Sequence, residues 1–278
     1  MKTLSQMYFP ITSTPFLNNQ NYCEILPCDA LKPYIRCFWG TKSVVETSNT
    51  TEYGLVIPDT CMDLIFDVNY TQNQTSSIFC GFDEHSYRSC SNGQDKNYVS
   101  TFAIRFYAWT AQLFTEDTLK GTMNRSLDSD IHFSKLKQEL SSLIIEEHNI
   151  YDKVIATQNY LLKKLDLFNI NNNLLNTIHE ILSSNGSISI KALSEKTVLS
   201  TKQLERIFYE NMGVTPKVFS DTVRYQLLWQ DMIYNPKFNA LDAVYKFGYY
   251  DQSHLLRDFY KHHLMTPKEA LTFAYQNR

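Results

Sequence analysis

Glycine is scarce in this sequence: only 8 of its 278 residues are glycine. No glycine-rich loop that could surround a phosphate group occurs, and neither the G-x-S-x-G pattern of serine hydrolases nor the H-E-x-x-H pattern of zinc hydrolases is present. These absences argue against the nucleotide-binding and hydrolytic enzymes that carry those motifs. We therefore expect a protein that is not an enzyme and that has no catalytic residues and no cofactor.

Long apolar runs are also missing. The sequence contains no stretch of about 18 apolar residues, so no membrane-spanning helix is expected. Residues 1–10 lack the basic segment and the apolar core of a secretory signal. These two features predict a cytoplasmic protein without a membrane partner.

The cysteines show no metal-binding spacing. No C-x-x-C pair occurs, whereas zinc sites usually need closely paired ligands. We expect free and mostly buried thiols and no metal, with a metal or redox site as the alternative. The six cysteines all lie in the first third of the chain: Cys23, Cys28, Cys37, Cys61, Cys80 and Cys90.

A strong basic balance is absent too, because the net charge is −3. The charge is unevenly distributed. Residues 1–169 carry 14 Lys and Arg against 19 Asp and Glu, whereas residues 170–278 carry 12 against 10. A nucleic-acid partner would therefore have to meet a local basic face in the second part of the chain rather than the whole molecule.

The first part of the chain has the pattern of short strands. Runs rich in β-branched and aromatic residues occupy residues 55–57, 62–66, 77–82 and 99–106, and Asn, Asp, Ser and Gly fill the gaps between them. This spacing predicts a small barrel or sandwich, and such a barrel commonly encloses a small molecule.

Three residues of the predicted barrel are candidates for binding a small effector. They are Trp39, Asp63 and Arg105. The alternative for each residue is structural: Trp39 lies in the core, Asp63 caps a turn, and Arg105 pairs with a carboxylate.

The middle of the chain changes to a helical pattern. Apolar residues recur at intervals of three and four in residues 134–147 and 152–167, which predicts two amphipathic helices. An asparagine-rich break at residues 169–173 is the best domain boundary. We predict a β-barrel sensor domain at 1–128, a helical connector or dimerisation segment at 129–170, and a DNA-binding domain at 171–278.

One pattern occurs twice in that last domain. Residues 200–208 and residues 251–259 each begin with a helix-capping side chain and continue with Leu, with Arg two residues later and with Phe after another two; Thr-Pro follows each copy. Helical spacing gives each copy one apolar face and turns Gln203, Arg206 and His254 outward, together with Arg257.

Each copy is predicted to be the second helix of a helix-turn-helix unit. The short helix before the first copy has Ala192, Leu193 and Val198 as candidate core positions. A helix over residues 216–234 separates the copies, and its 19 residues span about 28 Å at ~1.5 Å per residue, close to the roughly 34 Å of one DNA turn. Capping residues at the helix starts, which could contact phosphates, are Ser189, Ser200 and Thr266.

Residues 193–270 resemble the double helix-turn-helix domain of AraC/XylS-type transcription regulators. The most specific part is residues 247–254, Phe-Gly-Tyr-Tyr-Asp-Gln-Ser-His, followed by Arg257, Phe259 and Thr266-Pro267. The resemblance implies that the first unit reads bases through Lys202, Gln203, Glu205 and Arg206. It implies that the second unit reads them through Gln252, Ser253, His254 and Arg257.

The sequence departs from the family pattern at two places. Ala243-Val244 stands where the family usually has Ile-Ala, and Glu205 directs an acid toward the groove. Residues 58–64, Pro-Asp-Thr-Cys-Met-Asp-Leu, resemble a motif of the cupin-like sensor domain in one branch of the family.

These patterns together predict an α+β protein: a small cupin-like β-barrel, a helical connector, and an all-α domain of two helix-turn-helix units joined by a long helix. The leading interpretation is a sequence-specific, effector-controlled transcription regulator that binds promoter or operator DNA as a monomer or homodimer, with RNA polymerase as a candidate partner. One alternative is a ligand-binding or enzymatic barrel with a helical docking module. Another is a constitutive activator without an effector. For Arg206 and Arg257, the competing interpretation is an internal ion pair with Glu210 or Asp221.

Overall fold

The computed structural model describes residues 3–17, 21–47, 51–92, 96–115, 117–165 and 170–276, apart from the side chains of 51–53 and 90–92. Its first part is antiparallel β structure. The strands are β1 (Tyr22–Ile25), β2 (Ile35–Thr41), β3 (Val45–Glu46), β4 (Thr51–Val56), β5 (Cys61–Asn69), β6 (Gln74–Cys80), β7 (Tyr87–Asn92), β8 (Tyr98–Tyr107) and β9 (Ser126–Asp128).

The pairing gives two sheets. The larger has the order β1-β2-β8-β5-β6-β9, with β3 also on β8, and the smaller consists of β4 and β7. Among the described residues the larger sheet is an open path from β1 to β9. All pairs are antiparallel, as expected for strands joined by short turns.

The two faces of the larger sheet differ in character, because side chains alternate along a strand. In β5 the side chains of Met62, Leu64, Phe66 and Val68 are buried in the core, while Asp63 points to the opposite face. The alternation continues in β8, where Phe102, Ile104 and Phe106 are buried in the same core. The opposite face carries polar side chains, and a cavity adjoins it.

Helices make up the rest of the chain. They are α1 (Leu4–Met7), α2 (Ala108–Ala111), α3 (Ser134–Glu146), α4 (Ile150–Leu162), α5 (Asn172–Ser183), α6 (Ile190–Thr197), α7 (Thr201–Met212), α8 (Pro216–Tyr234), α9 (Ala240–Lys246), α10 (Gln252–His263) and α11 (Pro267–Gln276), with 3-10 turns at Gln112–Phe114 and Ser129–Ile131. The predicted α+β class and the all-α second half are confirmed. No helix of the described residues is both long and apolar enough to cross a membrane.

Capping residues determine where most of the C-terminal helices begin. Asn171, Ser189 and Ser200 each accept a hydrogen bond from a backbone N–H of the helix that follows them. Asn239 and Asp251 do the same for α9 and α10. Each cap satisfies an N–H group that has no partner within its own helix, so these polar residues define where the helices begin.

One predicted core position is wrong. Val198 is 89% exposed and forms the C-cap of α6 with φ of 57°. Leu193 of the same helix is fully buried, as expected. Val198 therefore serves the turn between α6 and α7, where the left-handed conformation turns its side chain into solvent.

The cysteine expectation holds in part. Cys23, Cys28, Cys37, Cys61 and Cys80 are free thiols, of which Cys37 and Cys61 are buried and the others are partly buried. The side chain of Cys90 lies outside the described residues.

Candidate functional site

The recognition helix of the first unit is α7. Its apolar face, formed by Leu204, Ile207 and Phe208, is buried, so the helix is fixed on the domain core. The predicted base-reading residues on the other faces are all exposed: Lys202, Gln203, Glu205 and Arg206. Ser189 and Ser200, which were predicted to contact phosphates, are exposed at the starts of α6 and α7.

The Gln203 side chain also caps α7, which its outward position did not predict. Its Oε1 atom accepts hydrogen bonds from the N–H and the hydroxyl of Ser200, at 2.9 Å each. Ser200 Oγ in turn accepts from the N–H of Gln203 at 3.3 Å. This capping box closes the first turn of α7, so Gln203 would have to release Ser200 before its carbonyl oxygen could bond to a base.

The recognition helix of the second unit is α10. Leu255 and Phe259 are buried, while Gln252, Ser253 and Arg257 are exposed. Thr266 is exposed as well, at the start of α11, where it shares a capping box with Glu269.

His254 differs from its neighbours because it is half-buried against the edge of Tyr249, with the ring centroids 5.3 Å apart. Its Nδ1 atom lies 3.3 Å from the backbone N–H of Tyr250. In the neutral ring this contact makes Nδ1 an acceptor and leaves Nε2–H as a donor.

The acids that competed for Arg206 and Arg257 are used elsewhere. Glu210 pairs with Lys120 of the first domain at 3.5 Å. Asp221 pairs with Lys217 at 2.6 Å and with Arg224 at 3.3 Å. Both recognition arginines are thus exposed, and these acids do not bind them.

The buried arginine of the second unit is Arg224 on α8, which the sequence did not single out. Its Nη2 lies 3.2 Å from Asp258 Oδ2, and the hydroxyl of Tyr249 donates to the same oxygen at 2.9 Å. The guanidinium also stacks over the Tyr249 ring at 4.5 Å. This cluster joins α8, α10 and the turn before α10, so it fixes the angle at which the second recognition helix leaves the core.

The N-terminal domain touches both recognition helices at their C-terminal ends. The backbone N–H of Leu119 donates to the carbonyl of Glu210 at 3.1 Å, and the hydroxyl of Ser86 donates to the carbonyl of His262. Each bond satisfies a carbonyl in the last turn, where a helix has no partner of its own. Two ion pairs repeat the arrangement: Lys120 with Glu210, and Glu84 with Lys261.

The two contacting segments, residues 82–86 and 119–124, are bonded to each other, and we call them the docking platform. The N–H of Asn124 donates to the carbonyl of Phe82 at 2.9 Å, and Asn124 Oδ1 accepts from the N–H of Glu84 at 2.7 Å. The two segments that contact the recognition helices are thus joined directly by hydrogen bonds.

On the polar face of the larger sheet lies a cavity of about 660 Å³. The three predicted effector residues line it and meet in one cluster. Asp63 and Arg105 are direct cross-strand partners, with Arg105 Nη2 2.9 Å from Asp63 Oδ2, and Trp39 Nε1 donates to Asp63 Oδ1 at 2.7 Å. Arg105 also pairs with Asp59 at 3.3 Å. Arg105 therefore pairs with carboxylates, as the structural alternative states, and also lines the cavity; its role in effector binding stays a prediction.

Burial sets the electrostatics of this cluster. Burial raises the pKa of Asp59, and the Arg105 guanidinium offsets part of that rise. For Arg105, burial acts to lower the pKa, but the Asp63 and Asp59 carboxylates outweigh it and the pKa lies above its ordinary value. Arg105 therefore stays charged.

Sequence reasoning missed four charged residues of the cavity: Glu24, Arg36, Asp59 and Asp83. Asp59 lies within the motif at residues 58–64, which was the available signal. Burial raises the pKa of Asp83 to about 7, and the Asp59 and Asp63 carboxylates contribute to the rise. Asp83 also belongs to the docking platform, so the segment that contacts α10 through Glu84 and Ser86 also borders the cavity.

Helix α8 connects the cavity with the recognition domain by a second route. Its last residue, Tyr234, lines the cavity. The buried amide of Gln226 binds the N–H and the carbonyl of Ile11, at 2.9 and 3.1 Å, and the carbonyl of Pro58 at 2.7 Å. Trp229 Nε1 donates to the carbonyl of Thr12 at 3.0 Å.

As for metals, no group of three or more His, Cys, Asp or Glu side chains in the described part of the chain is placed to hold an ion.

Two family models match the sequence. Residues 193–272 match a helix-turn-helix domain, which spans both recognition helices, and residues 23–128 match a domain of unknown function, DUF6597. The C-terminal domain is of the AraC type. The predicted AraC-type double helix-turn-helix domain is thereby confirmed, and such a domain points to a DNA-binding regulator. A comparison with curated protein sequences found no match.

Solved structures similar to this chain include ToxT of Vibrio cholerae. ToxT from strain O395 is 14% identical with a TM-score of 0.40, over 85% of this chain and 98% of that one. ToxT from strain SCE256 with bound unsaturated fatty acid is 13% identical with a TM-score of 0.38, over 91% and 96%. A third structure holds ToxT bound to a methylnaphthalenyl butenoic acid, at 13% identity and a TM-score of 0.40, over 85% and 99%. A likeness this distant assigns neither a ligand nor a site to this chain.

Proposed function

We propose that this AraC-type protein is a sequence-specific transcription regulator whose two recognition helices read one asymmetric DNA site, under the control of a small ligand in the N-terminal cavity. The observation that carries the proposal is the docking platform. It binds the last turns of α7 and α10 and leaves the N-terminal parts of both helices exposed. Base contacts in helix-turn-helix proteins come from those N-terminal residues.

The chemistry of the exposed residues suits base reading. Arg206 and Arg257 can each donate two hydrogen bonds to guanine, the commonest specific contact to a base edge. Glu205 can accept from cytosine, and His254 offers a donor through Nε2–H. Lys202, Gln203, Gln252 and Ser253 complete the proposed base-reading set. Ser189, Ser200 and Thr266, at exposed helix starts, are proposed to contact phosphates.

The ligand is proposed to act through Asp83. This residue lines the cavity, the next residue pairs with Lys261, and Ser86 binds the carbonyl of His262. A ligand that changes the charge or position of Asp83 thereby changes the contact with α10. Since a ligand shifts a conformational equilibrium only by its differential affinity for the two states, the platform must differ between them.

Selection from a random duplex library with the full-length chain tests the DNA-binding part. We expect one asymmetric consensus with two clusters of preferred base pairs about one helical turn apart, and a footprint that covers both. Affinity for the selected site should fall steeply with salt, since phosphate contacts release counterions. Equal affinity for all sequences at every salt concentration contradicts the proposal. An Arg88→Ala variant changes an exposed arginine of β7. It serves as the control for substitutions of Arg206 and Arg257 and should bind DNA like the parent.

A further inference from the structure

The cavity has an excess of negative groups. Among the described residues that line it, the charged side chains are four carboxylates and two guanidiniums: Glu24, Asp59, Asp63 and Asp83, with Arg36 and Arg105. Both arginines are already paired. Arg105 binds Asp63 and Asp59, and Arg36 Nη1 lies 3.7 Å from Glu24 Oε2. The remaining carboxylate, Asp83, has Tyr87 as its hydrogen-bond partner and no cation among the described residues.

Aromatic rings line the same space. Tyr22, Trp39, Tyr87 and Tyr234 border the cavity, and the Tyr22 and Trp39 rings have centroids 6.0 Å apart. The negative face of an aromatic ring attracts a cation, and the attraction strengthens when water is excluded. Carboxylates interspersed with aromatic faces are therefore suited to an organic cation and unsuited to an anion.

The second guanidinium at the cavity, that of Arg36, is held by contacts within the protein. Arg36 is only 7% exposed and lines the cavity. Its Nε and Nη2 atoms donate to the carbonyl of Pro10, at 3.2 and 3.1 Å, but Nη1 has no hydrogen-bond partner among the described residues. Nη1 is itself buried and lies 3.7 Å from Glu24 Oε2, so the charge of Arg36 already faces a carboxylate of the protein.

We propose that the cavity binds a small organic cation, with its positive group beside Asp83 among the aromatic rings. This assignment rests on the proposed function in one respect, that the cavity is the ligand site. It excludes simple carboxylates such as fatty acids as the preferred ligand, because a further negative charge would lie beside Asp83, which has no arginine partner, while both arginines of the cavity already pair with other carboxylates.

The assignment gives the ligand a direct route to the DNA-binding domain. A cation beside Asp83 balances a charge on the docking platform one residue before Glu84, whose carboxylate holds Lys261. Ligand binding and the contact with α10 therefore share one short segment, and an uncharged molecule of the same shape would not stabilise the charged form of Asp83.

Three molecules of one shape provide the test: tyramine, its alcohol analogue tyrosol and its carboxylate analogue para-hydroxyphenylacetate. The full-length chain in phosphate buffer is titrated with each by calorimetry at up to millimolar concentration. Tyramine should bind with a Kd at least about tenfold lower than that of the carboxylate, with tyrosol between them. Equal affinities, the reverse order, or no tyramine binding overturns the proposal.

Two variants locate the effect. Asp83→Asn should weaken tyramine binding about tenfold or more and remove the preference for the amine over the alcohol. Asp29→Asn makes the same change at an exposed carboxylate outside the cavity and should change nothing. If Asp83→Asn retains the amine preference, the cation does not lie beside Asp83 and the proposal is wrong.

DNA binding is measured separately on the same proteins. Selective DNA binding without amine preference overturns the ligand class and leaves the regulator assignment standing. Amine preference without any sequence-specific DNA binding overturns the regulator assignment and leaves the ligand class standing.

Discussion

Lys261 Nζ lies 3.0 Å from Glu84 Oε1, across 177 positions of sequence. Lys261 is in the last turn of the second recognition helix, and Glu84 is in the docking platform of the N-terminal domain. With the bond from Ser86 to the carbonyl of His262, the pair makes the orientation of α10 depend on a segment that also borders the cavity.

The Glu84–Lys261 contact can be measured with a double-mutant cycle. Lys261 is half-exposed, so the pair is partly screened and the expected coupling free energy is about 0.5–1 kcal/mol. Urea unfolding of the parent, Glu84→Gln, Lys261→Met and the double variant gives this value. A cycle on Lys32 and Asp29, an exposed pair three residues apart, should give less. Strict additivity of the Glu84 and Lys261 effects would show that the contact does not stabilise the arrangement.

Replacing either recognition arginine should change base preference rather than stability. Arg206→Ala and Arg257→Ala are each expected to cost ~1–3 kcal/mol of binding free energy at the selected site and to relax preference at one base pair, each in a different half of the site. Mobility-shift titrations on single-base variants of the site provide the measurement. Both side chains are exposed, so thermal unfolding should match the parent. A uniform loss of affinity for every sequence would instead indicate a phosphate contact.

The recognition units could be predicted from sequence because their signals are local. Ser200 and Gln203 form their capping box within three residues, and Leu204 and Phe208 lie one helical turn apart. Gly213 ends α7 with φ of 69°, in the left-handed region that glycine adopts readily. Such signals are set by residues within a few positions of one another.

The cavity could be predicted only in part. Trp39, Asp63 and Arg105 were singled out by residue type, but their meeting depends on the register that places Asp63 opposite Arg105. Asp83 follows β6 and faces Asp59 and Asp63 only after the sheet has formed, and no periodic pattern marks it. Arg224 was missed for a similar reason, since its partner Asp258 lies 34 residues away on another helix.

Asp83 should make stability depend on pH. Its pKa is about 7 in the folded chain against 3.8 for the ordinary carboxyl group, because burial disfavours the charged form. The folded state therefore holds an extra proton between these values, and this contribution to stability is present below about pH 4 and is lost as pH rises through about 7. In urea unfolding at pH 5 and pH 8, the free energy of unfolding of Asp83→Asn should rise relative to that of the parent at the higher pH. Parallel curves for the two proteins would contradict this prediction.

Gln226 should contribute strongly to stability, although no sequence pattern marks this residue. Its fully buried amide satisfies backbone groups of Ile11 and Pro58, which would have no partner after substitution. Gln226→Ala is expected to lower the free energy of unfolding by about 2–4 kcal/mol. Gln138→Ala, at an exposed position of α3, should change it by less than about 0.5 kcal/mol. Similar losses in the two variants, measured by chemical denaturation, would rule out this role.

Through the hydrogen bonds from Leu119 and Ser86, the N-terminal domain contacts both recognition helices. These bonds constrain the distance between the two helices as well as their orientation. If the two helices read one DNA site as proposed, their separation cannot change without a change in the docking platform, so the number of base pairs between the two halves of the operator depends on residues outside the DNA-binding domain. Exchanging the N-terminal domain for that of a relative would alter which operator spacings are accepted while every base-reading side chain stays the same.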